Sequence, residues 1–221
     1  LSVICVNSKN SLSSKKKLFI RGFKLKEVLK LGFFFTINKL YDKFDKLFSY
    51  KLLNKTKSVR SITSKLKIPY KFTKNINSHS DLNYIKAKKP DLIVSFSAPV
   101  IFKKDLLNIP ILGCINLHCS YLPNYSGVLP SFWTLYNNES YTGVTVHFMD
   151  DKIDNGSIID QKKVKISNDE TMFSIIKKTK KVGGELIIKV ILKLMNKEKI
   201  KIKKNKVIDK NYYTWPTVKE I

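Results

Sequence analysis

Two short apolar runs constrain this chain more than any other feature. DLIVSFS (residues 91–97) and ILGCINL (residues 111–117) are rich in β-branched side chains. The first is closed by Ala98-Pro99, the second by a polar loop. Apolar runs this short are expected as strands buried on both faces of a sheet. Further elements alternate around them. Residues 2–7 (SVICVN) are expected as a short buried strand, residues 81–89 as a helix closed by Pro90, residues 103–108 as a brief turn or helix, and residues 131–137 as a helix. GVTVHFM (143–149) alternates its faces as a strand does, and residues 157–166 form another strand. Residues 169–196 place Met172, Ile175, Ile176, Thr179, Val182, Leu186, Ile187, Val190, Ile191 and Leu194 on one stripe of a long amphipathic helix. Asp169 and Glu170 suit its positive N-terminal end. A strand pair is expected around residues 199–208. Strands alternating with helices predict an α/β fold, a mostly parallel central sheet with flanking helices. Ligands bind outside the carboxyl ends of such strands. The loops after Ser97 and Leu117 are therefore expected at a site.

From Lys24 to Phe48, Leu25, Val28, Leu29, Ile37, Leu40, Tyr41, Phe44, Leu47 and Phe48 recur at helical spacing, with a break near Gly32 and lysines on the other face. Such a helix lies on a membrane or packs on a core, and amphipathic spacing usually reports core packing. The apolar run 31–37 is too short to span a bilayer. The formal net charge is +25, which raises nucleic acid or an anionic membrane as a partner. Only Arg21 and Arg60 are arginines, however, and lysine is spread along the whole chain. That distribution fits compositional bias rather than a dedicated polyanion face, while a positive field still attracts phosphate-bearing ligands. Cys5, Cys114 and Cys119 are an odd set without CxxC spacing. A disulfide framework is not expected, and a cytoplasmic chain is.

Asn116 and His118 stand at i and i+2 on an expected strand, which puts both side chains on one face. A carboxamide beside an imidazole offers hydrogen bonds to one developing oxyanion, and the imidazole can also move a proton near neutral pH. Asp154 precedes the turn signal Asn155-Gly156 between two strands. There it would hold an imidazole protonated or accept a proton through water. Each residue also has a plainer explanation. Asn and His at strand ends cap backbone groups, and Asp is a common turn residue. His118, His147, Cys114 and Cys119 lack the spacing of a known zinc motif, so no metal is expected. Nothing nearby marks Cys119 as an activated thiol nucleophile.

Residues 116–161, NLHCSYLPNYSGVLPSFWTLYNNESYTGVTVHFMDDKIDNGSIIDQ, carry a more specific signal. They hold Asn-X-His-X-Ser, then Leu-Pro and Gly, then Gly-Val-Thr-X-His, then Asp-X-Gly. In that order they resemble the folate-dependent formyltransferase family, which includes glycinamide ribonucleotide, methionyl-tRNA and sugar-nucleotide N-formyltransferases. The resemblance implies a Rossmann-like formyltransferase fold, with 10-formyltetrahydrofolate as formyl donor and no metal. It implies a small-molecule primary amine or methionyl-tRNA as acceptor, with no membrane partner. By matching motif, Asn116, His118 and Asp154 would be catalytic. Ser120, Gly127 and His147 would border the acceptor. Pro99, Val100, Ile101 and Phe102 would line the folate pocket, with Asp150 and Asp151 in the loop closing its other side. Residues 1–198 would form the catalytic domain, with 20–60 as a helical insertion and 199–221 as a C-terminal extension. SVICVN stands where the family has its second strand, so the first β-α unit is expected to be missing. Ser126 occupies a position where many methionyl-tRNA and sugar relatives carry Arg. Two other outcomes fit the same pattern: hydrolysis of 10-formyltetrahydrofolate, and a non-catalytic basic homologue that binds RNA or a membrane.

Overall fold

A computed structural model describes residues 1–6 and 58–220, together with Leu29, Phe33, Thr36, Ile37, Leu40, Phe44 and Leu47. Those seven positions are helical. The rest of the expected 20–60 helical insertion, apart from residues 58–60, lies outside the described residues. Leu29, Leu40, Phe44 and Leu47 were expected to pack on a core; each is more than half exposed. No helix among the described residues is long and apolar enough to cross a membrane.

The chain divides into two compact units, Leu1–Asn75 with Pro216–Ile221, and Ile76–Trp215. In the first, β1 (Val3–Val6) pairs in parallel with β2 (Tyr70–Thr73), Val3 opposite Tyr70. Helix α1 (Val59–Lys65) precedes β2 and is capped by the Ser58 hydroxyl, which accepts from the Ser61 N–H at 3.2 Å. Every residue of β1 is only half-buried, unlike the buried strand expected there. Both α1 and β2 went unforeseen, because YKFT and VRSITSK are short and carry no clean period.

The second unit holds a four-stranded sheet in the order β3 (Ile93–Phe96), β4 (Cys114–His118), β6 (Tyr141–Phe148), β7 (Ile158–Lys165). The helices around it are α2 (His79–Ala87), α3 (Lys104–Leu107), α4 (Pro130–Tyr136) and α5 (Met172–Met195). The α/β class is as expected, and the sheet is mixed. Strands β3 and β4 run parallel, while β6 runs antiparallel to both β4 and β7. The short loop between β6 and β7 turns the chain directly back, which only an antiparallel pair allows. Strand β3 is one of the two outer strands of this sheet and is not buried on both faces: Ser95 is buried and Phe96 exposed.

The two central strands alternate sharply. Ile115 and Leu117 of β4, with Val144 and Val146 of β6, form one apolar face. Leu186, Ile187 and Val190 of α5 bury against it, each stabilising the unit by about 1.5–3 kcal/mol. Close approach of α5 depends on Gly183, where a Cβ would come within 2.8 Å of the Leu117 side chain. The helix begins at Met172, three residues later than the expected start at Asp169. Its cap is Thr171, which exchanges hydrogen bonds with Ser174 (Ser174 N to Thr171 Oγ1, 3.2 Å; Thr171 N to Ser174 Oγ, 2.9 Å). Glu170 instead accepts from Lys178 Nζ at 2.6 Å.

The tail does not form the strand pair expected over 199–208. Residues 201–206 lack a turn signal that would fold them back on themselves. Lys203 instead forms an antiparallel bridge with Ile158 at the start of β7. Further on, β8 (Tyr212–Tyr213) pairs with β5 (Ser126–Gly127).

Candidate active site

The opposite face of β4 and β6 is polar. Asn116 stands opposite His147, and His118 opposite Thr145. Ser95 of β3 extends the first row, in register with Asn116. A bulge between Val146 and His147 shifts the register to β7 and leaves both Ile158 and Ile159 buried. The polar row thus lies at the end of the sheet where β6 turns into the loop carrying Asp154.

That loop brings Asp154 onto the row. His118 Nδ1 lies 3.4 Å from Asp154 Oδ2, and His147 Nε2 lies 3.7 Å from Asp154 Oδ1. The Gly127 N–H, from the loop after β4, donates to Asp154 Oδ2 at 2.8 Å. The carboxylate thus meets two imidazoles and a backbone donor in a nearly dry setting. Burial pushes its pKa up. The charge of His118, the hydrogen bond of His147 and the Gly127 N–H together outweigh that and hold it below the ordinary carboxylate value.

The partners of each imidazole restrict its protons. His118 Nε2 is 2.9 Å from the Tyr125 carbonyl oxygen, an acceptor, so Nε2 carries a proton. A second proton on Nδ1 makes the Asp154 contact a charge-assisted pair. His147 Nδ1 donates to the Phe148 carbonyl at 2.7 Å. In the neutral ring Nε2 is an acceptor, to which Asn116 Nδ2 donates at 3.2 Å; only the protonated ring can donate from Nε2, and then toward Asp154 Oδ1. This orients the Asn116 carboxamide and leaves its other N–H for a ligand.

Two glycines make the arrangement possible. At Gly156 a Cβ would sit 1.9 Å from the Phe148 carbonyl oxygen, so the Asp154 turn can pass the strand only with glycine. Gly127 has φ +95 and would place a Cβ 2.2 Å from the Tyr213 carbonyl oxygen. Asp154 itself has φ 48, a left-handed conformation uncommon for a residue with a Cβ.

The other expected site residues fall in different places. Ser120 is fully buried and donates to the Asn124 carbonyl at 2.7 Å, inside the loop. The Pro99–Phe102 segment leaves the carboxyl end of β3, next to the end of β4. Phe102 is buried, Val100 half-buried, and Pro99 and Ile101 exposed. Asp150 braces its own loop, accepting from Lys152 N and Asn155 Nδ2, each at 3.0 Å. Asp151 is exposed. Ser126 is fully buried and donates to the Asn211 carbonyl at 3.0 Å.

Three residues at or beside the site were not foreseen. Asn77 clamps the Pro99–Phe102 segment, donating to the Ile101 carbonyl and accepting from the Lys103 N–H, both at 2.9 Å. Asn205 donates to the Asp154 carbonyl at 2.7 Å. Ser95 Oγ is buried without a hydrogen-bond partner among the described residues. Only the alternation of Ser95 with Val94 and Phe96 hinted at any of this; the two asparagines act across long sequence separations. A thiol nucleophile gains no support. Burial raises the pKa of Cys119 against the opposing pull of Thr179 and Lys180, and pushes Cys114 up to about 12.

The family model described as formyl transferase matches residues 49–191. The bifunctional polymyxin resistance protein ArnA of Wigglesworthia glossinidia brevipalpis is 46% identical over 121 residues, 55% of this chain and 18% of that protein. The methionyl-tRNA formyltransferase of Thermodesulfovibrio yellowstonii is 40% identical over 117 residues, 52% of this chain and 38% of the relative. The chain thus spans well under half of the length of these relatives. Among solved structures, WlaRD, a sugar 3N-formyl transferase crystallised in the presence of dTDP and 5-N-formyl-THF, is 26% identical with a TM-score of 0.57. The match covers 72% of this chain and 53% of WlaRD.

Proposed function

Because this chain belongs to the formyl transferase family, we propose that it transfers a formyl group from 10-formyltetrahydrofolate to a primary amine, with Asn116, His118 and Asp154 as the catalytic residues. The observation that carries this is the cluster itself: a buried carboxylate against two imidazoles, beside a carboxamide whose orientation one of them fixes. The surroundings suit a folate donor in kind. Ser95 presents a buried hydroxyl without a hydrogen-bond partner among the described residues beside Asn116, and Ile101 presents exposed apolar surface on the neighbouring segment.

In the proposed reaction the amine nitrogen attacks the formyl carbon, and the carbonyl electron pair moves onto oxygen. The free N–H of Asn116 donates to that oxyanion, and protonated His118 supplies positive charge on the same face. Asp154, 3.4 Å from His118 Nδ1, receives the amine proton through water. Collapse of the oxyanion breaks the bond to the folate nitrogen, which takes up the proton that Asp154 received, returned through the same water. The formamide product and tetrahydrofolate leave.

The proposed acceptor is an amino sugar nucleotide, ahead of methionyl-tRNA and glycinamide ribonucleotide. The LPSFW stretch (residues 129–133) resembles the sugar and tRNA branches. Ser126, where many of those relatives carry Arg, is turned inward onto Asn211 and so offers no side chain to an acceptor. The test supplies 10-formyltetrahydrofolate with each amine and follows tetrahydrofolate release. Release that requires an amine supports transfer. Release at the same rate without any amine supports hydrolysis. No release from any pairing refutes both.

A further inference from the structure

Two of the contacts that hold Asp154 lead to one stretch of the tail. Its backbone carbonyl accepts from Asn205 Nδ2 at 2.7 Å, and the same amide group reaches the Gly156 carbonyl at 3.2 Å. Its carboxylate accepts from the Gly127 N–H. Gly127 is in turn paired with Tyr213, and its neighbours share that support. Val128 N donates to the Tyr213 carbonyl at 2.8 Å, Ser126 Oγ donates to the Asn211 carbonyl, and the Tyr125 ring stacks on Tyr213 with centroids 5.0 Å apart. The near end of the stretch is fixed by the bridge from Lys203 to Ile158.

We propose that residues 203–213 are a strap that positions Asp154 on the polar row, with Asn205 as its principal positioning residue. Asn205 is buried, and its Oδ1 has no hydrogen-bond partner among the described residues. A buried carboxamide with a stranded oxygen is unfavourable as packing, and an apolar residue fills such a space better. What the amide contributes is its N–H pair, given to the carbonyls on either side of Asn155. Those two bonds hold a turn in which Asp154 is left-handed at φ 48, a conformation that Asp enters more readily than most residues with a Cβ but less readily than glycine. Asn205 touches no reacting atom. It acts by fixing the backbone that aims the carboxylate, while Tyr213 fixes the loop that supplies its Gly127 donor.

What the strap serves rests on the formyl-transfer reading of Asp154; that it fixes Asp154 does not. The test uses the whole 221-residue chain with Asn205→Ala. The expected kcat for formyl transfer falls about 10–100-fold, with the KM for 10-formyltetrahydrofolate within about twofold. The Asp154 carboxyl, followed by carbon-detected NMR, titrates closer to an ordinary carboxylate than in the parent. A folded variant whose Asp154 titration is unchanged, or whose kcat stays within about threefold of the parent, overturns the proposal. If the parent transfers no formyl group, the formyl-transfer reading falls and the titration alone decides the strap. If Asn205→Ala does not fold, side-chain amide exchange in the parent decides. The Asn205 N–H pair is expected to exchange at least about tenfold more slowly than that of exposed Asn138, and equal rates overturn the proposal.

Discussion

Strands β4 and β6 have two faces built from alternate residues of the same few turns of sequence. On one, Ile115, Leu117, Val144 and Val146 meet Leu186, Ile187 and Val190 of α5. On the other, Asn116, His118, Thr145 and His147 meet Asp154 and the loop after β4. The apolar face is completed by one helix and held by non-directional burial, so it tolerates adjustment. The polar face is completed by Gly127, Asp154 and Asn205, which arrive from three separate segments and must meet at hydrogen-bond distance. One face secures the fold, and the other is exacting about angles and protons. Substitutions on the two should therefore separate stability from chemistry.

Asp154→Asn is the harshest test of that separation. It keeps the shape of the side chain and removes its charge. Transfer is expected to fall about a thousandfold in kcat, about 4 kcal/mol of transition-state stabilisation, with the fold retained in thermal melts. Ile187→Ala on the other face reverses the pattern. It should cost about 3 kcal/mol in chemical denaturation, while the kcat of the folded fraction stays within about twofold of the parent. If Ile187→Ala damaged kcat as much as Asp154→Asn does, the two faces would not be separable. The smallest effect is on the acid side. The folded pKa of Asp154 lies below its unfolded value, so the charged form contributes stability that is present above about pH 4 and lost as pH falls through the folded pKa. The stability gap between the parent and Asp154→Asn, measured by denaturation at stepped pH, is therefore expected to narrow on acidification. A gap that widens would mean that Asp154 is not held in its charged form.

The apolar face was legible in the sequence because its signal is local. The apolar run of β4, the period of two in β6 and the stripe of α5 each lie within one segment. Asn116 and His118 were legible for the same reason, as neighbours on one strand. Asp154 stood out only as a turn residue, and the ordered motif from Asn116 to Gln161 gave it a chemical role. Strand β3 was misjudged because an apolar run does not reveal an outer position in the sheet. The supports of Asp154 were illegible. Asn205 is an ordinary asparagine in a lysine-rich tail, 51 residues from the carbonyl it holds, and nothing near it in sequence requires a partner. The same composition made 199–208 resemble a strand pair, when its hydrogen-bonding partner was the edge at Ile158.

The claim that the polar face is a folate site is tested most directly by the footprint of a stable donor analogue. 5-Formyltetrahydrofolate titrated into the isotope-labelled chain is expected to shift the signals of Ser95, Asn116, His118, His147 and residues 99–102. Those of Val144, Val146 and Ile187, on the other face, should stay in place. Saturable shifts confined to the polar face bear the account out. Shifts scattered over exposed lysines that vanish with added salt, or no shifts at millimolar ligand, would contradict it.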